Sequence, residues 1–235
     1  MNVPDLSVIV AAFNEEETIA ACVTRIAAAL PENCEILVVD GGSDKTGDVV
    51  RSLGKDIPDL HYIYNENDLG KGHAIRVGIE AAHGDIMAQI DADLQFLPEE
   101  LSRVVRPIRE GTADVTLGSR FIEGSVRLPG SAPFFRALGN RITSAYASLL
   151  CWHRMTDVLA GIKAWSREAA DQIDLHSNNY SYEVEIPVKA IRRGLRVVDI
   201  PITTEARQGG ETSVNVVSDG AAILWDITRF RMGLK

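Results

Sequence analysis

The sequence predicts an α/β fold built on a mostly parallel central sheet. Short β-branched runs alternate with amphipathic segments over the first two-thirds of the chain, as successive βαβ units require. These runs end in short polar or glycine-bearing segments. With 235 residues, 46% of them apolar, the chain can bury one main core.

Residues 6–12 read as a buried strand, after which Asn14, with Glu17 three residues on, is placed to cap a helix carrying Ile19, Val23, Ile26 and Leu30 on one face. Residues 35–40 form the second strand. It ends in Asp40-Gly41-Gly42-Ser43, where glycine permits a tight turn and Ser43 can cap the next helix. A third strand over 61–64, a polar loop over 65–72, a helix over 73–82 and a fourth strand over 85–91 follow. Pro98-Glu99-Glu100 opens a helix that Gly111 can end, and residues 115–118 supply another strand.

Beyond Arg120 the rhythm changes. The Gly/Pro-containing stretch 124–133 reads as a mobile loop, residues 134–150 and 180–193 as helices, and 163–166 and 195–200 as short extended pieces. In residues 219–235, Ala222, Leu224, Trp225, Ile227, Phe230 and Leu234 occur beside Arg229, Arg231 and Lys235. That segment is either an interfacial helix or one docked on the core.

Composition excludes several classes. No apolar run approaches the ~18 residues that cross a bilayer, and the N-terminus lacks the basic-then-apolar order of a secretory signal, so the expected location is cytoplasmic. The net charge of −9 disfavours a nucleic-acid partner. Residues 1–119 hold 9 basic and 21 acidic residues, net −12, whereas residues 120–235 are net +3 and form the better place to receive an anion. Cys22, Cys34 and Cys151 have neither metal-ligand spacing nor a disulfide framework, and the five histidines are scattered.

The chemistry centres on Asp91-Ala92-Asp93. Alternate residues at a strand end point the same way, so both carboxylates can emerge together, and Gln95 adds a neutral oxygen suited to a hard Mg²⁺ or Mn²⁺ ion. The alternative is a pair of loop carboxylates capping the helix near Pro98. Lys71, between two glycines, either meets a phosphate or is solvated. Arg120, Arg136, Arg141 and Arg207 have the same two readings, phosphate binding or solvated surface. Glu185 reads most simply as a helix-surface glutamate.

Ala12-Phe13-Asn14-Glu15-Glu16, Val38-Val39-Asp40-Gly41-Gly42-Ser43, Leu69-Gly70-Lys71-Gly72, Asp91-Ala92-Asp93-Leu94-Gln95 and Gly118-Ser119-Arg120 fall in order at successive strand ends. Over residues 5–215 this arrangement resembles glycosyltransferase family 2, and within it the dolichol-phosphate mannose synthases and bacterial polyprenyl-phosphate sugar synthases. The resemblance implies a GT-A (Rossmann-like) fold over 1–215, followed by an amphipathic helix over 216–235, either docked or at a membrane surface. It implies inverting transfer of a sugar from GDP-mannose or a UDP-sugar to polyprenyl phosphate, with peripheral membrane contact as a further expectation.

By the same resemblance, Asp91, Asp93 and Gln95 surround the metal and the donor diphosphate. Ala12, Asn14, Glu16, Asp40, Gly41, Lys71 and Ala92 complete the donor site, and Arg120, Arg136, Arg141 and Arg207 receive the acceptor. Asp157 is the candidate base should the acceptor be a hydroxyl. Two positions depart from the family pattern. Gly41 stands where many relatives have a second Asp that helps recognise the base, and Asp157-Val158-Leu159-Ala160-Gly161 keeps only the Asp and Gly of the mannose-synthase run. Competing readings are a soluble enzyme acting on a small hydroxyl acceptor, a nucleotidyltransferase and a non-catalytic sugar-nucleotide sensor.

Overall fold

The computed structural model describes residues 4–30, 33–131, 134–209 and 218–234. The chain begins β1 Leu6–Ala12, α1 Ile19–Ala29, β2 Cys34–Asp40, α2 Thr46–Leu53, β3 Leu60–Tyr64, α3 Lys71–Ala81 and β4 Ile86–Asp91. A 3-10 turn at Pro98–Glu100 leads into α4 Leu101–Arg109, then β5 Val115–Ser119, β6 Val126–Arg127 and α5 Phe134–Cys151. The remainder is β7 Lys163–Ser166, α6 Arg167–Ile173, α7 Tyr182–Arg192, β8 Val197–Pro201, β9 Thr203–Thr204 and α8 Ser218–Met232.

Seven strands form one sheet in the order β3-β2-β1-β4-β7-β5-β8, and β6 and β9 make a separate short pair. All neighbours in the large sheet run parallel except β7, which is antiparallel to both β4 and β5. From β1 the chain builds outward through β2 and β3, then returns to place β4 on β1's other side. Such a reversal leaves a crevice at the carboxyl ends of the strands, the usual ligand position in open α/β sheets.

Both faces of the sheet are covered, which is why its strands read as continuous apolar runs. Leu6, Val8 and Val10 of β1 pack with Ile19, Val23 and Ile26 of α1 and Leu101 and Val104 of α4. Ile9, Leu37 and Val39 face the opposite cluster with Ile75, Val184 and Ile227. Each fully buried side chain of this size contributes roughly 1.5–3 kcal/mol.

Several local expectations are corrected. Asn14 does not cap α1, which starts at Ile19 after Thr18; it takes a left-handed φ of 57° and its Oδ1 accepts from Ser43 N at 2.9 Å. Ser43 is likewise not the cap of α2, where Asp44 Oδ1 accepts from Thr46 N at 2.9 Å. Part of the stretch read as a mobile loop is ordered as β6, paired with β9; residues 132–133 lie outside the described residues. At the C-terminus α8 buries Ile223, Ile227 and Phe230 and packs on α5 and α7. Its basic residues face the protein: Arg229 pairs with Asp226 at 2.9 Å and Arg231 Nε donates to Leu150 O at 3.0 Å. Lys235 lies outside the described residues.

Candidate functional site

A cavity of about 1140 Å³ opens where β1 and β4 end, at the reversal of strand order. Of the residues expected at a site, Ala12, Asn14, Glu16, Lys71, Asp91, Ala92, Asp93, Gln95, Arg120, Arg136 and Arg207 line it. Two loops form its rim because their polar groups satisfy one another. Glu15 N donates to Thr46 Oγ1 at 2.9 Å, Glu16 N to Asp44 Oδ2 at 3.0 Å, and Lys45 N to Glu16 Oε2 at 3.0 Å.

Asp91 and Asp93 hold a cation each. Lys71 Nζ lies 2.6 Å from Asp91 Oδ1, and Arg207 Nε lies 2.6 Å from Asp93 Oδ2. Asp93 is buried rather than presented freely at the strand end, and its Oδ1 accepts from Gln95 N at 2.9 Å. Burial, reinforced by Asp93 and Glu183 and opposed by Lys71, pushes the Asp91 carboxyl up to about 6. Gly161 is glycine because a Cβ there would overlap the Asp91 carboxylate.

Beneath this pair lies a buried charge network. Glu183 joins the fully buried Lys163 on one side and Lys71, at 3.3 Å, on the other, and accepts from Tyr182 OH at 2.6 Å. Gln89 Nε2 donates to that Tyr182 oxygen at 3.0 Å. Burial would raise the Glu183 carboxyl, but its two lysines outweigh that and hold it below the ordinary carboxylate range.

The residues fit a hard divalent ion that shares its coordination with substrate. Among the described residues no group of three or more His, Cys, Asp or Glu can hold a metal alone. Magnesium-type sites commonly use one or two carboxylates together with substrate phosphates. Asp91 and Asp93 would supply those carboxylates. Gln95 gives its amide N–H to Ser131 O, leaving Oε1 as the atom it can offer.

On the opposite side, Asp157 is fully buried and closes on Arg120, with Nε to Oδ2 at 2.6 Å, Nη2 to Oδ1 at 2.8 Å and Arg120 N to Oδ2 at 3.1 Å. It does not line the cavity, so the reading of Asp157 as a base for a hydroxyl acceptor does not suit this geometry. Arg120 reaches the cavity with most of its guanidinium committed. Arg141 also stands outside the cavity wall, over the Phe121 ring at 4.9 Å; Arg120 and Arg127 approach the same ring at 5.6 Å. Asp40, expected at the nucleotide, is buried and spends Oδ1 on Gly42 N at 2.8 Å and Oδ2 on Tyr62 OH at 3.0 Å. Burial and that bond push the Tyr62 phenol up to about 12.

Residues 7–173 match the family Glycosyl transferase family 2. The chain belongs to that family. It is 30% identical to the undecaprenyl-phosphate mannosyltransferase of Micrococcus luteus over 243 residues, spanning 96% of this chain and 98% of that protein. To the polyprenol monophosphomannose synthase of Mycolicibacterium smegmatis it is 33% identical, over 88% of this chain and 80% of that protein. Among solved structures it resembles glucosyl-3-phosphoglycerate synthase from Mycobacterium tuberculosis in complex with Mn²⁺, UDP and glucosyl-3-phosphoglycerate. That match has a TM-score of 0.73 at 22% identity, covering 99% of this chain and 81% of the other. The fold is GT-A-like and the protein is a glycosyltransferase.

Local sequence signals did not reveal several charged and polar groups in and around the cavity. Lys163, Tyr182 and Glu183 carry no motif of their own and meet only through tertiary contacts, as with Lys71 and Glu183, which lie 112 residues apart. Glu185 is not on the surface: it is buried, pairs with Lys189 at 2.5 Å and accepts from His176 N and Ser177 N. Asp68 and Arg127 had no signal beyond their charge.

Proposed function

We propose that this glycosyltransferase is an inverting, divalent-metal-dependent enzyme that moves a sugar from GDP-mannose or a UDP-sugar to polyprenyl phosphate at a membrane surface. One observation carries the acceptor half of this reading. Helix α5 supplies Arg136, Gly139, Asn140 and Thr143 to the cavity wall, yet leaves Phe135, Leu138, Ile142 and Leu149 exposed. Trp152, just past its end, is 88% exposed. An acceptor with an anionic head and an apolar tail uses both features of this helix, whereas a small phosphorylated acid uses only the first.

The names of the Micrococcus and Mycolicibacterium relatives support the lipid-phosphate acceptor, and the Mn²⁺ and UDP bound to the mycobacterial enzyme support metal and nucleotide-sugar use. Asp91, Asp93 and Gln95 would hold Mg²⁺ or Mn²⁺, which would compensate the charge of the departing diphosphate. Lys71 adds a fixed positive charge beside Asp91, and Glu183 holds Lys71 in place. A phosphate acceptor is already anionic and needs no strong base, which agrees with an Asp157 committed to Arg120. Arg136 within the cavity can position the phosphate by charge-assisted hydrogen bonds, and Arg127 and Arg141, gathered at Phe121 outside the cavity wall, add positive charge on the acceptor's approach.

Membrane contact on this reading is peripheral, through the exposed side of α5 with Trp152. Among the described residues no helix is long and apolar enough to cross a bilayer. The test is release of nucleoside diphosphate from a panel of sugar nucleotides with Mn²⁺, comparing polyprenyl phosphate, polyprenol and 3-phosphoglycerate as acceptors. Release should require polyprenyl phosphate. Equal or greater release with polyprenol or 3-phosphoglycerate would move the enzyme to a hydroxyl or small-acid acceptor.

A further inference from the structure

Gly41 has a spatial rather than a conformational reason to be glycine. It is not among the residues with positive φ, so its backbone would accept an L side chain. A Cβ at Gly41 would, however, lie 2.6 Å from both Cβ and Cγ of Asp68 and 2.7 Å from its Oδ2. Asp68, from the loop between β3 and α3, therefore occupies the space of the missing side chain.

That carboxylate is held on one side only. Oδ1 accepts from Asn65 Nδ2 at 2.9 Å and Gly70 N at 3.1 Å, whereas no hydrogen bond among the described residues reaches Oδ2. Asp68 lines the cavity. The other two carboxylates at the end of β2 are spent, Asp40 on Gly42 and Tyr62 and Asp44 on Thr46 and Glu16. Asp68 Oδ2 is thus an oxygen in this part of the site that no hydrogen bond among the described residues uses.

The end of β2 lies two strands from the end of β4, ~10 Å at normal strand spacing. With the diphosphate beside Asp91 and Asp93, the ribose comes next and the base reaches furthest along the strand ends. We propose that Asp68 Oδ2 reads the base of the donor nucleotide by accepting a hydrogen bond from a ring N–H. Uracil N3 and guanine N1 carry such a hydrogen. Cytosine N3 and adenine N1 instead present a lone pair, which a carboxylate repels. This inference rests on the proposed nucleotide-sugar donor and adds the residue that selects its base.

Calorimetry of the intact protein in Mn²⁺ tests it with UDP, GDP, CDP, ADP and inorganic pyrophosphate as separate ligands. The wild type should bind UDP or GDP more tightly than CDP and ADP. Asp68→Asn keeps the volume but replaces the charged acceptor, and should weaken the preferred nucleotide roughly tenfold or more. Pyrophosphate affinity should not change, which would show that the metal and phosphate half is intact. An unchanged nucleotide profile in Asp68→Asn, or a parallel loss of pyrophosphate binding, overturns the inference alone. Failure of the wild type to bind any of the four nucleotides overturns it together with the proposed donor.

Discussion

Replacing Asp157 with Asn separates a structural carboxylate from a catalytic one. Both Asp157 oxygens engage the Arg120 guanidinium, at 2.6 and 2.8 Å, and one also accepts from the Arg120 backbone N–H. The side chains are 0% and 6% exposed. The amide keeps the volume but removes the charge, and places an NH₂ donor against a donor. Removing one partner of a buried ion pair costs ~3–5 kcal/mol. At ~2–4 °C per kcal/mol for a chain of this size, the melting temperature should fall by ~6–20 °C. A general base lost from the reaction would instead lower kcat by ~10²–10⁴-fold. The assay is thermal unfolding of wild type and variant beside kcat measured well below the variant's transition. A melting temperature within about 2 °C of wild type together with a kcat loss above about a hundredfold would refute the structural assignment and restore Asp157 as a base.

Asp93→Asn, or removal of divalent metal with chelator, should reduce transfer by ~10³-fold or more. Its fold should survive, because Arg207, 33% exposed at the side chain, can turn to water; near-normal turnover in either assay would defeat the metal assignment. Arg141→Gln should lower acceptor kcat/KM by roughly tenfold while calorimetric donor affinity is unchanged, and the opposite split would move Arg141 to the donor site. The protein should float with anionic liposomes at low salt and less so at high salt, and Leu149→Ser with Trp152→Ser should weaken flotation; absence of wild-type flotation would remove the membrane contact. At the far end of the sheet, burial would raise the Glu35 carboxyl, but Ser7 and the backbone and ring of His83 hold it below its ordinary 4.5. A carboxylate lowered in the folded state stabilises above the unfolded value and loses that contribution as pH falls through the folded one. Chemical denaturation between pH 6 and 3 should therefore show a decline below about 4.5 that is smaller in Glu35→Gln, and identical pH profiles would contradict it.

The strands and the loops that end them were legible because they obey local rules. The strand runs of β1, β3 and β4 and the polar segments after them place Asn14, Lys71, Asp91 and Asp93 on one cavity without any knowledge of partners. Long-range contacts were not legible in this way. Nothing local tells that residues 163–166 enter the sheet antiparallel, between β4 and β5, since direction is set by how the chain returns after α5. The same holds for Glu183 and Glu185: in α7, Glu185, Lys189 and Arg192 stand at the spacing of a polar surface face, yet tertiary packing buries Glu183, Glu185 and Lys189. Asn14 misled because its residue type suits a helix cap and a left-handed loop position equally; the carbonyl it offers to Ser43 settles the matter only once β1 and β2 are side by side.

The central claim is that a sugar passes to a lipid phosphate. Purified protein would be incubated with radiolabelled sugar nucleotide, Mn²⁺ and polyprenyl phosphate, and the label then partitioned between water and organic solvent. The account predicts label in the organic phase, lost when polyprenyl phosphate is omitted, when polyprenol replaces it or when chelator is present. Label that stays in water with every donor tested, or that enters the lipid phase equally with polyprenol or in chelator, would contradict it.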